Sequence, residues 1–304
     1  MTPDDIDAVS AELLLRLQRD LKILPDKPDE TPEVTLKALW ALATGTPLAV
    51  SELRGFVPGV LDREAEARLL DLVERRLAGV PLAHLTGRQD FMGQVLLSSA
   101  AALVPRRETE QLGYAAVERL RTLGMDDLLV VDVCTGAGNV ALGIACHVEH
   151  ARVFGADLSG EAIQLARENA RFLGRPDVEF RAGDLLEPFN EVPFQKAVDV
   201  LTCNPPYISS TRVDIMPEEI SRHEPRLAFD GGPFGIGIVR RFLKEAPKYL
   251  KPGGWVLMEV GAGQGAGLAK SLGANPQYDE VNTYTDAGDE IRVVEARRAT
   301  QPGD

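Results

Sequence analysis

Residues 128–138 read LLVVDVCTGAG, an apolar run that passes through Asp132 into a turn with two glycines. A short apolar run of this kind is typical of a strand that is buried on both faces of a sheet. Glycine lets the backbone turn sharply and approach a ligand closely, and the first N–H groups of a following helix point toward such a ligand. The stretch therefore predicts a buried strand, a ligand-binding loop and a helix, in that order.

Apolar runs of the same kind recur along the chain and alternate with helical patterns. The predicted strands cover 128–134, 151–157, 178–182, 197–203 and 254–260. The predicted helices between them cover 139–148, 160–173 and 236–250. Strands that alternate with helices form a parallel sheet that carries helices on both faces.

The end of the chain follows a different pattern. After a predicted helix at 264–272, two β-runs at 278–285 and 290–297 are separated by the short turn Asp286-Ala287-Gly288-Asp289. A turn this short joins antiparallel strands only. Five parallel strands followed by a hairpin are the layout of the seven-stranded class I (Rossmann-like) methyltransferase sheet. A nicotinamide-binding Rossmann sheet is parallel throughout, so we expect an α/β fold of the first kind.

The part of the chain that precedes this sheet is helical in pattern. Apolar residues recur at helical spacing over 6–21, 31–42 and 62–77. The following segment breaks into short extended pieces. The predicted organisation is a helical bundle at 1–80, a β-rich hairpin connector at 81–107, the α/β domain at 108–298 and a tail at 299–304.

Composition narrows the class of protein. The 304 residues are 44% hydrophobic and 26% charged, which is ordinary for a globular protein. The formal net charge of −13 opposes strong binding to nucleic acid. Three cysteines and four dispersed histidines form no disulfide framework and no metal-ligand spacing. The acidic start and the lack of a long apolar run predict a soluble, cytoplasmic protein without a membrane partner.

Two acidic residues follow the second and third predicted strands. Asp157 closes the second strand, where its carboxylate can accept both hydroxyls of a ribose. Asp is also a favoured N-cap, so Asp157 could instead cap the helix that begins near Ser159. Asp184 follows the third strand, where it can accept from an adenine amino group while Leu185 covers the ring.

The glycine loop alone does not distinguish two classes of enzyme. Gly136-x-Gly138-x-x-Ala141 also fits a dinucleotide fingerprint, which leaves a nicotinamide-dependent oxidoreductase open. An isolated match of this kind can also be a simple turn between a strand and a helix.

The motif Asn204-Pro205-Pro206-Tyr207 lies directly after the fourth predicted strand, where open α/β sheets bind their ligands. Its prolines remove two backbone donors and stiffen the segment. The Asn204 side-chain carbonyl and the Pro205 backbone carbonyl can accept both hydrogens of one NH₂ group, and Tyr207 can stack on the planar group that carries it. An amide nitrogen is a poor nucleophile, so holding it in line with a methyl sulfonium is the main assistance that an enzyme can supply.

Together with this motif, a series of short blocks resembles the HemK/PrmC family of protein-(glutamine-N5) methyltransferases, which modify peptide chain release factors. The similarity runs from about residue 61 to 297. The blocks are 74–79 (ERRLAG), 81–87 (PLAHLTG), 91–93 (FMG), 104–106 (VPR), 108–110 (ETE), 223–228 (HEPRLA), 231–232 (GG), 251–254 (KPGG), 259–261 (EVG) and Gln264. Asn-Pro-Pro-Tyr alone also fits adenine-N6 DNA methyltransferases, but these flanking blocks do not.

The resemblance implies S-adenosyl-L-methionine as the cofactor and a release factor as the protein substrate, with the glutamine of its GGQ motif as the methyl acceptor. The implied cofactor-binding residues are Cys134, Thr135, Gly136, Ala137, Gly138, Asp157, Asp184, Leu185 and Asn204. The implied substrate-binding residues are Phe91, Asn204, Pro205, Pro206 and Tyr207, of which Asn204, Pro205 and Tyr207 are the catalytic group. The helical bundle at 1–80 would help to dock the release factor.

This chain departs from the family pattern at three places. Cys134 occupies the usual first glycine of the loop, Arg107 occupies a usual proline, and the first 60 residues match less well than the rest. Two alternatives therefore stay beside the main hypothesis: an S-adenosylmethionine-dependent N-methyltransferase of a free amino acid, peptide or small amide or amine, and a non-catalytic protein that retains the fold.

Overall fold

The computed structural model describes residues 3–124, 126–216 and 218–300. Its first helices are α1 (Pro3–Asp20), α2 (Pro32–Ala43), α3 (Arg63–Leu77) and the short α4 (Leu82–Thr86). Side chains from these helices form one apolar cluster, with Leu17, Leu39 and Trp40 fully buried. The hydroxyl of Thr31 caps α2 and the carboxylate of Asp62 caps α3, as expected of such residues before a helix.

A two-stranded antiparallel hairpin follows α4, with strands β1 (Arg88–Phe91) and β2 (Gln94–Leu97). The buried side chain of Asn169 accepts from the backbone N–H of Leu97 at 2.6 Å and donates to its carbonyl at 3.2 Å. The same amide donates to the carbonyl of Ala137 at 3.0 Å. The side chain of Asn169 thus links the hairpin, at Leu97, to the glycine-containing loop, at Ala137.

The remaining elements build the main sheet. The helices are α5 (Glu110–Leu123), α6 (Asn139–His147), α7 (Gly160–Phe172), α8 (Ser210–Val213), α9 (Glu218–His223), α10 (Gly237–Glu245) and α11 (Gly265–Gly273). The strands are β3 (Leu129–Val133), β4 (Arg152–Asp157), β5 (Glu179–Ala182), β6 (Val198–Cys203), β7 (Leu250–Glu259), β8 (Tyr278–Thr285) and β9 (Ile291–Arg298).

The strand order in this sheet is β5-β4-β3-β6-β7-β9-β8. The first five strands are parallel, and β9 runs antiparallel to both β7 and β8. The predicted α/β class with five parallel strands and a terminal hairpin is therefore confirmed. This topology also contradicts an all-parallel nicotinamide-binding sheet.

Apolar layers cover both faces of the sheet, which explains why the central strand β3 is apolar on both sides. Val130 packs on one face with residues of α5, α6 and α7. Val131 packs on the other face with Phe189 and with Phe242 of α10. Buried apolar area of this extent supplies most of the favourable free energy of folding.

Two segments differ from the sequence expectations. Strand β7 begins at Leu250, although Lys251-Pro252-Gly253-Gly254 has the composition of a turn. Leu250 still pairs with Val198, and a shift of register between Val198 and Val200 accommodates the irregular residues. The segment after β6 contains α8 and α9, which are too short to produce a periodic pattern.

The predicted tail at 299–304 lies mainly outside the described residues. Within the parts of the chain that the structure describes, none of the helices combines the length and the apolar character needed to cross a membrane.

Candidate active site

A cavity of about 200 Å³ opens at the carboxyl ends of the parallel strands. Strand β3 lies between β4 and β6, so the order in which the strands are added to the sheet reverses direction next to β3. Open α/β sheets bind their ligands at such a switch point. The sequence-predicted residues that line the cavity are Cys134, Thr135, Gly136, Asp157, Asp184, Leu185, Asn204 and Pro206. The fold thus brings together residues that follow four different strands.

The loop between β3 and α6 has an unusual backbone conformation. Cys134, Gly136 and Gly138 have φ angles of 58°, 54° and 80°, all in the left-handed region that favours glycine. A Cβ atom at Gly138 would lie only 2.9 Å from the ring of Phe180. At position 138, both the positive φ angle and the lack of room for a Cβ atom require glycine. Cys134 also has a positive φ angle, which glycine would adopt more readily.

The side chain of Asp132 connects this loop to strand β6 by hydrogen bonds. Its carboxylate accepts hydrogen bonds from the hydroxyls of Thr135 at 2.5 Å and Thr202 at 2.7 Å. Burial raises the pKa of Asp132 to about 6, and the two hydroxyls partly oppose that rise. Asp132 also lines the cavity, although the sequence indicated only a strand residue at this position.

Asp157 joins the glycine loop to the start of α7. Its two oxygens accept from the backbone N–H groups of Gly136 and Ser159, each at 2.9 Å. The N-cap of α7 is Ser159, whose hydroxyl accepts from the N–H of Ala162 at 3.2 Å. The alternative that Asp157 caps the helix is therefore wrong. Burial raises the pKa of Asp157, and a carboxylate at this edge of the cavity retains lone pairs for a ribose.

Asp184 and Leu185 lie where the chain leaves β5. Leu185 is buried and has a φ of 51°. Asp184 forms an ion pair of 2.5 Å with Arg241 of α10, which also lines the cavity. Sequence reasoning missed Arg241, because one basic residue on an amphipathic helix gives no signal of its own.

The amide of Asn204 is oriented by a hydrogen bond. Its Nδ2 donates to the hydroxyl of Thr109 at 3.3 Å. Thr109 is buried and lines the same cavity. Since Nδ2 is directed to Thr109, the Oδ1 atom is the one available to accept from a ligand.

Tyr207 is fixed from two sides. Its hydroxyl donates to Oε1 of Glu259 at 3.0 Å, and its backbone carbonyl accepts from Nε2 of Gln264 at 3.1 Å. Burial and the nearby Glu259 carboxyl raise the pKa of the Tyr207 hydroxyl. Pro205 is buried, whereas Pro206 faces the cavity.

Five predicted residues do not line the cavity: Pro205 and Tyr207, described above, and Ala137, Gly138 and Phe91. Ala137 and Gly138 lie at the start of α6, where Ala137 packs against Ala102 and Leu165. Phe91 is 1% exposed and belongs to the apolar core beneath the hairpin. Its ring does not line the cavity, and the expectation that Phe91 packs near the substrate amide stays a prediction.

A segment that follows α9 covers part of the cavity. Pro225, Leu227 and Ala228 line it. Glu224 holds this segment through its buried carboxylate, which accepts from Arg106 at 2.5 Å and from the N–H of Val104 at 2.8 Å. By contrast, the side chain of Arg107 is 71% exposed and pairs with Asp29 at 3.2 Å. Arg107, which stands where the family usually has proline, therefore lies on the surface.

Comparison with known proteins shows which proteins this chain is similar to. A family model described as a methyltransferase domain matches residues 125–282. The release factor glutamine methyltransferase of Deinococcus radiodurans is 39% identical over 274 residues, which are 88% of this chain and 92% of that protein. The release factor glutamine methyltransferase of Moorella thermoacetica is 36% identical over 81% of this chain and 85% of its own length.

Among solved structures, the catalytic domain of human Mettl16 in complex with an RNA hairpin covers 80% of this chain and 83% of that chain. Its TM-score is 0.51 at 14% sequence identity, a likeness that concerns the fold alone. The two release factor glutamine methyltransferases named above align with this chain at 39% and 36% identity over 88% and 81% of its length. On that ground, the chain belongs to the release factor glutamine methyltransferase family.

Proposed function

We propose that this protein transfers a methyl group from S-adenosylmethionine to the side-chain amide nitrogen of the GGQ glutamine in a peptide chain release factor. The observation that carries the proposal is the orientation of Asn204, which directs an amide oxygen into a cavity between a glycine loop and a buried carboxylate. Membership of the release factor glutamine methyltransferase family supports both methyl transfer as the reaction and a release factor glutamine as the acceptor.

The residues of the cavity fit S-adenosylmethionine, which when bound supplies a methyl group on a positively charged sulfonium. Cys134, Thr135 and Gly136 bring backbone groups close to the ligand. Asp157 offers carboxylate oxygens to the ribose hydroxyls, and Leu185 covers the adenine ring beside Asp184. A buried carboxylate with a raised pKa gains from a ligand that donates hydrogen bonds to its charged form.

Asn204 and Pro205 position the acceptor. The Oδ1 of Asn204 and the backbone carbonyl of Pro205 accept the two N–H groups of the glutamine amide and so fix the direction of its nitrogen lone pair. Positioning of this kind lowers the barrier by removing the entropy cost of orienting the reactants. Tyr207 stiffens the same segment through its bonds to Glu259 and Gln264.

The helices within residues 1–80 form a substrate-recognition domain in this proposal, joined to the methyltransferase domain at 108–298 by the connector at 81–107. An amide substrate gains orientation from contacts remote from the reacting atoms, and these helices offer a surface for them. The net charge of −13 favours a partner with basic surface, so added salt slows association. A release factor acts in translation, which places the enzyme in the cytoplasm.

Mass spectrometry of a release factor incubated with the enzyme and S-adenosylmethionine tests the proposal. We expect one added methyl group on the GGQ glutamine and none on a GGA variant of the same release factor. Free glutamine and a short GGQ peptide serve as competing acceptors in parallel reactions. Efficient methylation of a small acceptor with the release factor unmodified would retain the reaction type and overturn the partner.

A further inference from the structure

The buried carboxyl group of Glu259 lies next to the Asn-Pro-Pro-Tyr motif, and the mechanism above uses it only as the acceptor that holds the Tyr207 hydroxyl. Glu259 ends β7 and is 2% exposed. Its Oε1 accepts from the hydroxyl of Tyr207 at 3.0 Å, whereas Oε2 is buried without a hydrogen bond of normal geometry. A buried carboxylate oxygen normally has a donor nearby, and the hydroxyl of Thr109 is the neighbouring donor that favours the charged form of Glu259.

Glu259 is connected to Asn204 through Thr109. Asn204 donates through Nδ2 to Oγ1 of Thr109 at 3.3 Å. The Thr109 hydroxyl is in turn close enough to Glu259 to favour its charged form. A hydroxyl has a single proton, so the direction of bonding through Thr109 depends on whether Glu259 accepts or donates.

An ionised carboxylate can only accept. Thr109 then directs its proton to Glu259, its oxygen accepts from Nδ2 of Asn204, and Oδ1 of Asn204 faces the cavity. A protonated Glu259 can donate to Thr109 instead. The Thr109 proton then turns toward Asn204, which favours the flipped amide and directs Nδ2 at the glutamine NH₂, so that two donors oppose each other.

We infer that Glu259 is a positioning residue whose ionised carboxylate sets the direction of the hydrogen bonds through Thr109, and thereby the end of the Asn204 amide that meets the substrate. This inference rests on the proposed function. Glu259 touches neither substrate nor cofactor in it, and acts through Thr109 and Tyr207.

The surroundings of Glu259 bring its titration into the neutral range. Burial raises its pKa to about 7, and the hydroxyls of Thr109 and Tyr207 partly oppose the rise. Glu108, in the turn before α5, raises the pKa further, and Arg292 of β9 lowers it. Because the ionised form is the productive one, kcat is fully present above this pKa and is lost as pH falls through about 7.

The decisive experiment measures kcat for release factor methylation between pH 5.5 and 8.5 in three proteins, each with its melting temperature and its dissociation constant for S-adenosylmethionine. In the unmodified enzyme, we expect kcat to rise with pH and level above about 7. In Glu259→Gln, we expect a folded protein with an unchanged cofactor dissociation constant and a kcat that is about 10²-fold lower and independent of pH.

Glu108→Gln is the matched control, because it removes a neighbouring carboxylate that bonds to neither Thr109 nor Tyr207. We expect it to keep the plateau kcat and to move the acid limb to lower pH, since Glu108 raises the pKa of Glu259. This shift tests the inference even where Glu259→Gln fails to fold. An acid limb that persists in Glu259→Gln, or that stays in place in Glu108→Gln, would overturn the inference.

The side-chain ¹⁵N–¹H signals of Asn204 supply a readout that needs no methyl acceptor. We expect them to titrate near pH 7 in the unmodified enzyme and not in Glu259→Gln. If the unmodified enzyme leaves release factors unmethylated while these signals titrate as expected, the proposed function fails and the hydrogen-bond relay stands. Signals that do not titrate in the unmodified enzyme contradict the relay itself.

Discussion

In the proposed mechanism, methyl transfer depends most directly on Asn204, because its Oδ1 is the side-chain acceptor available to the glutamine amide. We predict that Asn204→Ala lowers turnover by a factor on the order of 10² to 10⁵ while the fold remains intact. Release factor methylation, followed by mass spectrometry with melting temperature recorded in parallel, measures this. Asn190→Ala, at an exposed position, is the control with unchanged turnover. A folded Asn204→Ala protein whose turnover is close to that of the unmodified enzyme would contradict the mechanism.

Asp157 is the second residue with a specific expected effect. Asp157→Ala should weaken S-adenosylmethionine binding about 10- to 150-fold, since loss of a hydrogen bond to a charged group costs roughly 1.5–3 kcal/mol. Isothermal titration calorimetry measures the dissociation constant. Asp177→Ala is the matched control, because that carboxylate is 58% exposed and pairs with Arg175 on the surface. An unchanged dissociation constant in Asp157→Ala would leave Asp157 with only the task of joining the glycine loop to α7.

At the residue scale, the side chains that follow the strands could be predicted from the sequence, but their hydrogen-bond partners could not. Asp157 and Asn204 could be located because the ends of parallel strands meet at one edge of a sheet. Thr109 could not, since its bond to Asn204 spans 95 residues of chain, and the bond from Tyr207 to Glu259 spans 52. No local pattern encodes such pairings, which depend on how distant elements pack.

At the scale of elements, the glycine loop between β3 and α6 shows why chain conformation matters as much as residue type. Cys134 adopts a φ of 58°, which costs a non-glycine residue about 1–2 kcal/mol. We predict that Cys134→Gly is folded and active, with equal or tighter S-adenosylmethionine binding. Calorimetry and thermal melting test this, and loss of binding would show that the Cys134 side chain itself contacts the cofactor.

Gly138→Ala is the contrasting variant in the same loop. Its φ of 80° is equally unfavourable, and the added Cβ would approach the Phe180 ring at 2.9 Å and Ala166 at 3.1 Å. We predict a lower melting temperature and weaker cofactor binding, because strain and overpacking act together. A Gly138→Ala protein as stable as the unmodified chain would mean that the loop can move away from Phe180.

Periodic elements were predictable and aperiodic ones were not. The strands and helices of the parallel sheet and the hairpin of β8 and β9 follow from runs of apolar residues and a short turn. The segment at 204–236 contains only brief helices, and its position over the cavity depends on Glu224 and Arg106 rather than on any repeating pattern. The two residues are 118 positions apart in the sequence.

At the scale of the whole molecule, a buried ionic cluster joins the first helices to the segment near the cavity. Arg76 of α3 pairs with Glu30 at 2.9 Å and with Glu219 of α9 at 3.1 Å, and Lys27 pairs with Glu219 at 3.3 Å. All four side chains are at most 8% exposed. Deleting residues 1–60 would remove Lys27 and Glu30 and leave Arg76 partly unpaired, so a point substitution is the better probe of this connection.

Arg76→Met should therefore affect stability and release factor recognition together. Removing one partner from a buried ion pair costs about 3–5 kcal/mol, whereas an exposed pair contributes about 0–1 kcal/mol. Arg107→Met is the matched control, because the Arg107–Asp29 pair likewise links residues 1–80 to a later part of the chain, but both of its side chains are about 70% exposed. We expect Arg76→Met to lower the melting temperature by several degrees and to raise KM for the release factor, with the S-adenosylmethionine dissociation constant unchanged. Arg107→Met should change none of these. Equal, small effects of both substitutions would mean that the first helices recognise the substrate independently of the segment that covers the cavity.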